Sequence, residues 1–210
     1  MFKKSLFRCC RKLLFGILLL VIIAFAAFTI HNLNIAKQNT ADLYNHPFTV
    51  SLSSLEINVQ ITKIHNAMKD FVLSTTTEER KGYLAKVEDS ERITHTHIAL
   101  IKERFLGDPA RINEFENLFS ESKRIREKVI TLIENGERDK AMAITKNEGA
   151  LHLQKLENKL HEFVIFAEQK ADNFYAKSIE TKKKSLFTLY VFIFTAIGLS
   201  FAISTVHRRS

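Results

Sequence analysis

HPFTVSLSSLEINVQITKIHNAMKDFVL, residues 46–73, is the stretch that decides the fold. Within it Ile57, Ile61, Ile64, Met68 and Phe71 recur at intervals of four, three, four and three. That spacing is the a/d seam of an α-helix packed lengthwise on other helices. A bundle helix is therefore expected, ending near Ser74 or Thr75.

Working outward, Pro47 lacks an amide proton and disfavours helical geometry at His46, so a kink or a fresh helix start is expected there. An ordinary helix-start proline and a signalling hinge both fit it. Thr76 followed by Glu79 matches a capping box, opening a second helix to about Leu106 with Leu84, Val87, Thr94, Ile98, Ile101 and Phe105 on heptad spacing. Gly107-Asp108-Pro109 supplies a helix-ending glycine, an N-cap aspartate and a first-turn proline. A third helix carries Ile112, Phe115, Leu118, Phe119, Ile125, Val129 and Leu132 before Asn135-Gly136 stops it. The fourth begins near Glu137, loosens at Glu148-Gly149, and then shows Leu153, Leu156, Leu160, Phe163, Ala167 and Phe174.

Helices over 31–75 and 137–184 exceed the two between them by roughly 25 to 30 Å at about 1.5 Å per residue. The simple assembly stands the outer two on a membrane and places the 107–109 turn at the height of Pro47. The fold class is thus all-α: an antiparallel up-down-up-down four-helix bundle flanked by two transmembrane helices.

Those flanks are uncharged. Leu13–Ile30 and Ser185–Val206 contain no Asp, Glu, Lys or Arg and approach the ~20 apolar residues that cross a bilayer. A cleaved leader is the rival for the first run, but its small-x-small site, Ala24-Phe25-Ala26, lies inside the apolar stretch. Retention as an anchor is expected. Of the net charge of +8, seven charges come from Lys3, Lys4, Arg8, Arg11 and Lys12 before the first run and Arg208 and Arg209 after the second. Residues 31–184 hold 24 of the 31 basic and all 23 acidic residues. The excess is topological, and no nucleic-acid partner is expected. The positive-inside rule puts both termini in the cytoplasm of a bacterial inner membrane. The expected layout is a basic N-terminus (1–12), span one (13–30), a periplasmic sensor domain (31–184), span two (185–206) and a cytoplasmic tail (207–210). Lys182-Lys183-Lys184, just outside the second span, runs against the rule. Cys9 and Cys10 lie on the reducing side, so the exported part has no disulfide.

Two motifs add a resemblance. Tyr44-Asn45-His46-Pro47-Phe48-Thr49-Val50-Ser51 and His65-Asn66-Ala67-Met68-Lys69-Asp70 resemble the first periplasmic helix of the four-helix-bundle sensor domains of methyl-accepting chemotaxis receptors. Related histidine kinases and diguanylate cyclases carry the same module. The resemblance implies a chemoreceptor-like sensor, a homodimer of paired bundles, and ligand binding in the upper half of the bundle near the dimer seam. It makes His46, Pro47, His65, Met68, Lys69 and Asp70 family-like positions. Only His207-Arg208-Arg209-Ser210 follow Val206, which leaves three readings open: a fragment, a truncated gene product, or a sensor that borrows its output from a cytoplasmic signalling partner. The alternative is a non-signalling, membrane-anchored interaction protein, or a receptor fragment acting through mixed dimers.

No catalytic motif is present: there is no phosphate loop, nucleophile elbow, CxxC pair or HExxH. No enzyme, metal site or cofactor is expected. His95 and His97 fall on different faces, His152 and His161 are nine apart, and the eight histidines read as solvated or capping. Lys63, His65 and Lys69 on the first helix, with Arg138, Lys140 and Lys146 early in the fourth, are the candidate ligand-binding residues. They should reach similar heights and suit a carboxylate or phosphate, although Asp70, Glu134, Glu137 and Asp139 are as near and surface pairing competes. A periplasmic protein is the other ligand class. Lys123, Arg124, Arg126 and Lys128 read as a solvated face. Ala196/Ser200 and Gly198/Ala202 are small residues four apart that let membrane helices approach closely.

Overall fold

The structure is a computed structural model that describes the backbone of residues 2–209 and the side chains of 12–205 and 208. The side chains of Lys3, Lys4, Arg8, Cys9, Cys10 and Arg11 lie outside the described residues. The described residues form no strand. In chain order they form α1 (Phe2–Leu43), a π-turn (Tyr44–Phe48), α2 (Thr49–Leu73), α3 (Thr77–Arg104), α4 (Ala110–Glu134), α5 (Arg138–Ile144), a second π-turn (Thr145–Gly149) and α6 (Ala150–Arg209). The contacts divide the chain into two units, Asp42–Asp172 and Met1–Ala41 with Asn173–Ser210.

The first unit is the bundle. Ile57, Ile61, Ile64, Met68 and Phe71 are all buried, as the seam of α2 requires. Val87, Thr94, Ile98 and Ile101 of α3, Phe115, Phe119 and Val129 of α4, and Leu156, Leu160, Phe163 and Ala167 of α6 meet them in the core. Thr94 is tolerated at a fully buried position because its hydroxyl donates to the Ser90 carbonyl at 2.8 Å, so no donor is left unpaired. Ser54 does the same on Val50.

The connections follow local chemistry. At the α2–α3 turn the Glu79 amide donates to the Thr76 hydroxyl, and the Glu79 carboxylate accepts from the Thr76 amide. Those bonds hold the Glu79 pKa below its ordinary value. At the end of α4, Gly136 takes φ +80°, its amide bonds Ile133 and that of Glu137 bonds Leu132 at 2.8 Å, which is a Schellman stop. Asp108 accepts from the Ala110 amide at 2.9 Å, filling the cap expected of it. Gly107 has a different reason from the one its sequence suggests. It needs no positive φ; a Cβ there would lie 2.6 Å from the Phe105 ring and 2.9 Å from Phe166.

The fresh helix start expected at Pro47 does not occur. Leu43 and Thr49, on either side, keep helical dihedrals, and the extra residue of a π-turn absorbs the missing donor. The hydroxyl of Thr49 donates to the Tyr44 carbonyl at 2.9 Å, satisfying an acceptor on the widened turn. The turn after α3 does lie at the height of Pro47, because the His46 Nδ1–H donates to the Arg104 carbonyl at 3.0 Å. It thereby serves an acceptor in the last turn of α3.

In the other unit, segments of α1 and α6 run side by side in opposite directions. Ser185 donates to Asn32 Oδ1 at 2.9 Å, and seven residues along each helix Phe25 meets Phe192 with ring centroids 5.4 Å apart. Both helices are long and apolar enough to cross a membrane, and neither apolar window is buried within the protein.

Candidate functional site

The register of α4 carries two polar residues into the core. Ile112, Phe115, Phe119, Ser122, Arg126, Val129 and Ile133 follow one another at three-four spacing and all are buried. Arg126 is only 9% exposed, which corrects its assignment to a solvated face; Lys123, Arg124 and Lys128 are exposed as expected. A buried guanidinium must be compensated. Glu91 of α3 pairs with it, Ser122 Oγ accepts from it at 2.7 Å, and the Phe119 ring lies 5.9 Å away. Burial pulls its pKa down while Glu91 opposes that shift.

Beside Arg126 the bundle leaves a cavity of about 50 Å³ between α2, α4, the second π-turn and α6. Ile61, Ile64, Met68, Phe119 and Leu156 are among its apolar walls, and His65, Ser122, Arg126, Thr145 and His152 are its polar residues. The π-turn builds one wall: Thr145 turns its hydroxyl back to the Ala141 carbonyl at 2.9 Å. Gly149 lies against His65, whose ring atoms would sit 3.8–3.9 Å from a Cβ placed there. His65 is half-buried, and desolvation, then the nearby Lys69 charge, lower its pKa from 6.5. His152, 7% exposed, donates from Nε2 to the Leu118 carbonyl at 2.7 Å. It is a core histidine rather than a solvated one.

The six ligand-binding candidates do not gather around this cavity. Only His65 lines it. Lys63 lines an open groove of about 320 Å³ between α2 and α3, together with Asp70 and Lys86. Lys69 and Lys146 are exposed. Arg138 donates to the Ser74 carbonyl at 2.6 Å, where Arg80 also donates, and so ties the two turns at one end of the bundle together. Lys140 pairs with Glu137. Among the family-like positions, His46 caps α3, Pro47 is buried in the π-turn, Met68 is core, and the Asp70 carbonyl closes α2 by accepting from the Ser74 amide.

Sequence reading missed Ser122, Arg126, Thr145 and His152 as one group. A signal existed for two of them, because stepping the Ile112-Phe115-Phe119 register forward lands on Ser122 and Arg126. Nothing local marks Thr145 or His152, which meet the others only through the packing of the fourth helix.

A family model described as a four helix bundle sensory module for signal transduction matches residues 12–182. Comparison with curated proteins and with solved structures gives no match.

Proposed function

The chain belongs to the four helix bundle sensory modules for signal transduction, and on that premise we propose that it is a chemoreceptor-like sensor anchored in the bacterial inner membrane. In this reading residues 13–30 and 185–206 span the membrane, both termini are cytoplasmic, and the bundle is periplasmic. The signal passes inward as a displacement of α6. What supports this most is that one helix, Ala150–Arg209, holds both core residues such as Leu156 and Phe163 and the second apolar run. It contains no proline or π-turn at which a displacement would be absorbed.

The receptor works as a homodimer through α2 and Phe48, the last residue of the π-turn before it. Phe48, Leu52, Leu55 and Val59 step by four, three and four residues and are each about half exposed (52, 55, 53 and 47%). This second seam lies away from the buried Ile57–Ile61–Ile64 face. The same stripe on a second copy makes a self-complementary, two-fold helix pair.

The test is a chimera of residues 1–206 with the cytoplasmic part of a histidine kinase. A cysteine at Leu55 should link two protomers, and filling the cavity with Ile125→Phe should shift kinase output. A kinase indifferent to the bundle, with no link at Leu55, would contradict the reading.

A further inference from the structure

The cavity has a chemical bias that a sensory role alone leaves unspecified. Its walls are mainly hydrocarbon, and no Asp or Glu lines it. Four of its polar residues are at least nine-tenths buried: Ser122, Arg126, Thr145 and His152. The two hydroxyls are already spent, Thr145 on Ala141 and Ser122 on Phe119. Arg126 is not. A guanidinium has five N–H donors in a planar fork, and Glu91 and Ser122 are the acceptors it meets here.

Such a site discriminates by charge and by size. A doubly charged phosphate would set two further negative charges against a guanidinium that Glu91 already pairs, and it has no tail for the apolar walls. A monocarboxylate adds one and needs only the N–H donors that Glu91 and Ser122 leave over. An ammonium would face Arg126 and find no carboxylate in the lining. An aliphatic alcohol would suit the walls but make only a neutral hydrogen bond with the fork, weaker than a charge-assisted one. A carboxylate matches the fork, and a short alkyl chain matches Ile61, Ile64 and Ile125. At about 10–15 Å³ for each water-sized centre, 50 Å³ takes a molecule of very few non-hydrogen atoms.

We propose that this cavity is a binding site for a short-chain aliphatic monocarboxylate, its carboxylate on Arg126 and its chain among the isoleucines of α2 and α4. The ligand replaces no existing ion pair, since Glu91 reaches Arg126 from α3, outside the lining. It lodges where α2, α4 and the second π-turn meet, next to the first turns of α6. The assignment rests on the sensory reading only for its consequence; binding is a property of the bundle and is measured apart from signalling.

The experiment is calorimetric titration of the full chain in detergent micelles near neutral pH. The probes are acetate, propionate and butyrate, with 1-butanol and butylammonium as controls. Saturable binding of propionate or butyrate, at least about tenfold tighter than either control, is expected from a charge-assisted contact. Arg126→Gln, shown folded by circular dichroism, should lose about the same factor. Ile125→Phe, which fills the space and leaves the Arg126–Glu91 pair in place, should lose binding as well, and it decides the matter should Arg126→Gln unfold. Failure of every acid to bind saturably, equal binding of butanol, or unchanged binding by folded Arg126→Gln would overturn the assignment. A chimera that ignores an acid shown to bind would count against the signalling reading and leave the site standing.

Discussion

Two glycines of the bundle behave oppositely under the same substitution. Gly107 sits under the Phe105 and Phe166 rings, where a methyl group would approach to 2.6 and 2.9 Å, so Gly107→Ala overpacks the site and should cost about 1–3 kcal/mol. Gly149 has helical surroundings, and a Cβ there meets only ordinary contacts at 3.6 Å and beyond; Gly149→Ala should fold with no such loss. Urea unfolding of the two variants side by side measures the contrast, and equal losses would show that the ring contacts are not the reason for Gly107. His65 makes a pH prediction. Burial and Lys69 favour its neutral form, so the unfolded chain takes up the proton first. Above the ordinary pKa of 6.5 the ring is neutral in both states and adds nothing. As pH falls through that value the unfolded state gains, and stability falls until the lowered folded pKa is passed. Thermal midpoints between neutral and mildly acid pH should therefore decline, and His65→Phe should flatten the decline across that window.

At the scale of elements, α2 has two apolar faces, one buried in the bundle and one exposed, the second of which the proposed dimer uses. Ile57 is wholly buried and Leu55, two residues earlier, is 53% exposed. Ile57→Ala should cost about 2–5 kcal/mol of bundle stability. Leu55→Ala should leave the bundle near wild type and weaken dimer crosslinking instead, as gel mobility of a cysteine-linked pair would show. The core face was legible because five apolar residues repeat on one period. The capping box at Thr76 and Glu79 and the stop at Asn135-Gly136 were legible because each is a local bargain between neighbouring backbone and side-chain groups. Two things were not. A proline within a helical pattern ordinarily ends it, and only the π-turn, sealed by Thr49 on Tyr44, lets α1 pass into α2. Charge ordinarily marks a surface, and Arg126 breaks that rule because Glu91 on another helix compensates it. The candidate cluster of Lys63, His65, Lys69, Arg138, Lys140 and Lys146 was drawn from height along the bundle. Height says nothing of direction around each helix, and direction separates Lys63 from His65 and commits Arg138 to the Ser74 carbonyl.

For the whole molecule, charge and apolar surface make one consistent picture. Residues 31–184 carry nearly balanced charge, while the apolar runs expose Leu20, Phe187, Phe194 and Phe201 by two-thirds or more. Such surface is costly in water and suited to hydrocarbon. Asn32 and Ser185 lie at the same end of the two apolar runs, where Ser185 donates to the Asn32 side chain. Lys182, Lys183 and Lys184 run against the positive-inside rule, although Lys184 pairs with Glu180 at 2.7 Å. In the proposed reading the orientation is set by the five basic residues before the first apolar run. It is tested most directly by labelling single cysteines with a membrane-impermeant maleimide in intact spheroplasts, on a background with Cys9 and Cys10 replaced by serine. Lys140→Cys, in the bundle, should label without lysis and Arg208→Cys only after it. A protected Lys140→Cys, or an Arg208→Cys that labels in intact spheroplasts, would contradict a sensor that faces outward on two membrane-crossing helices.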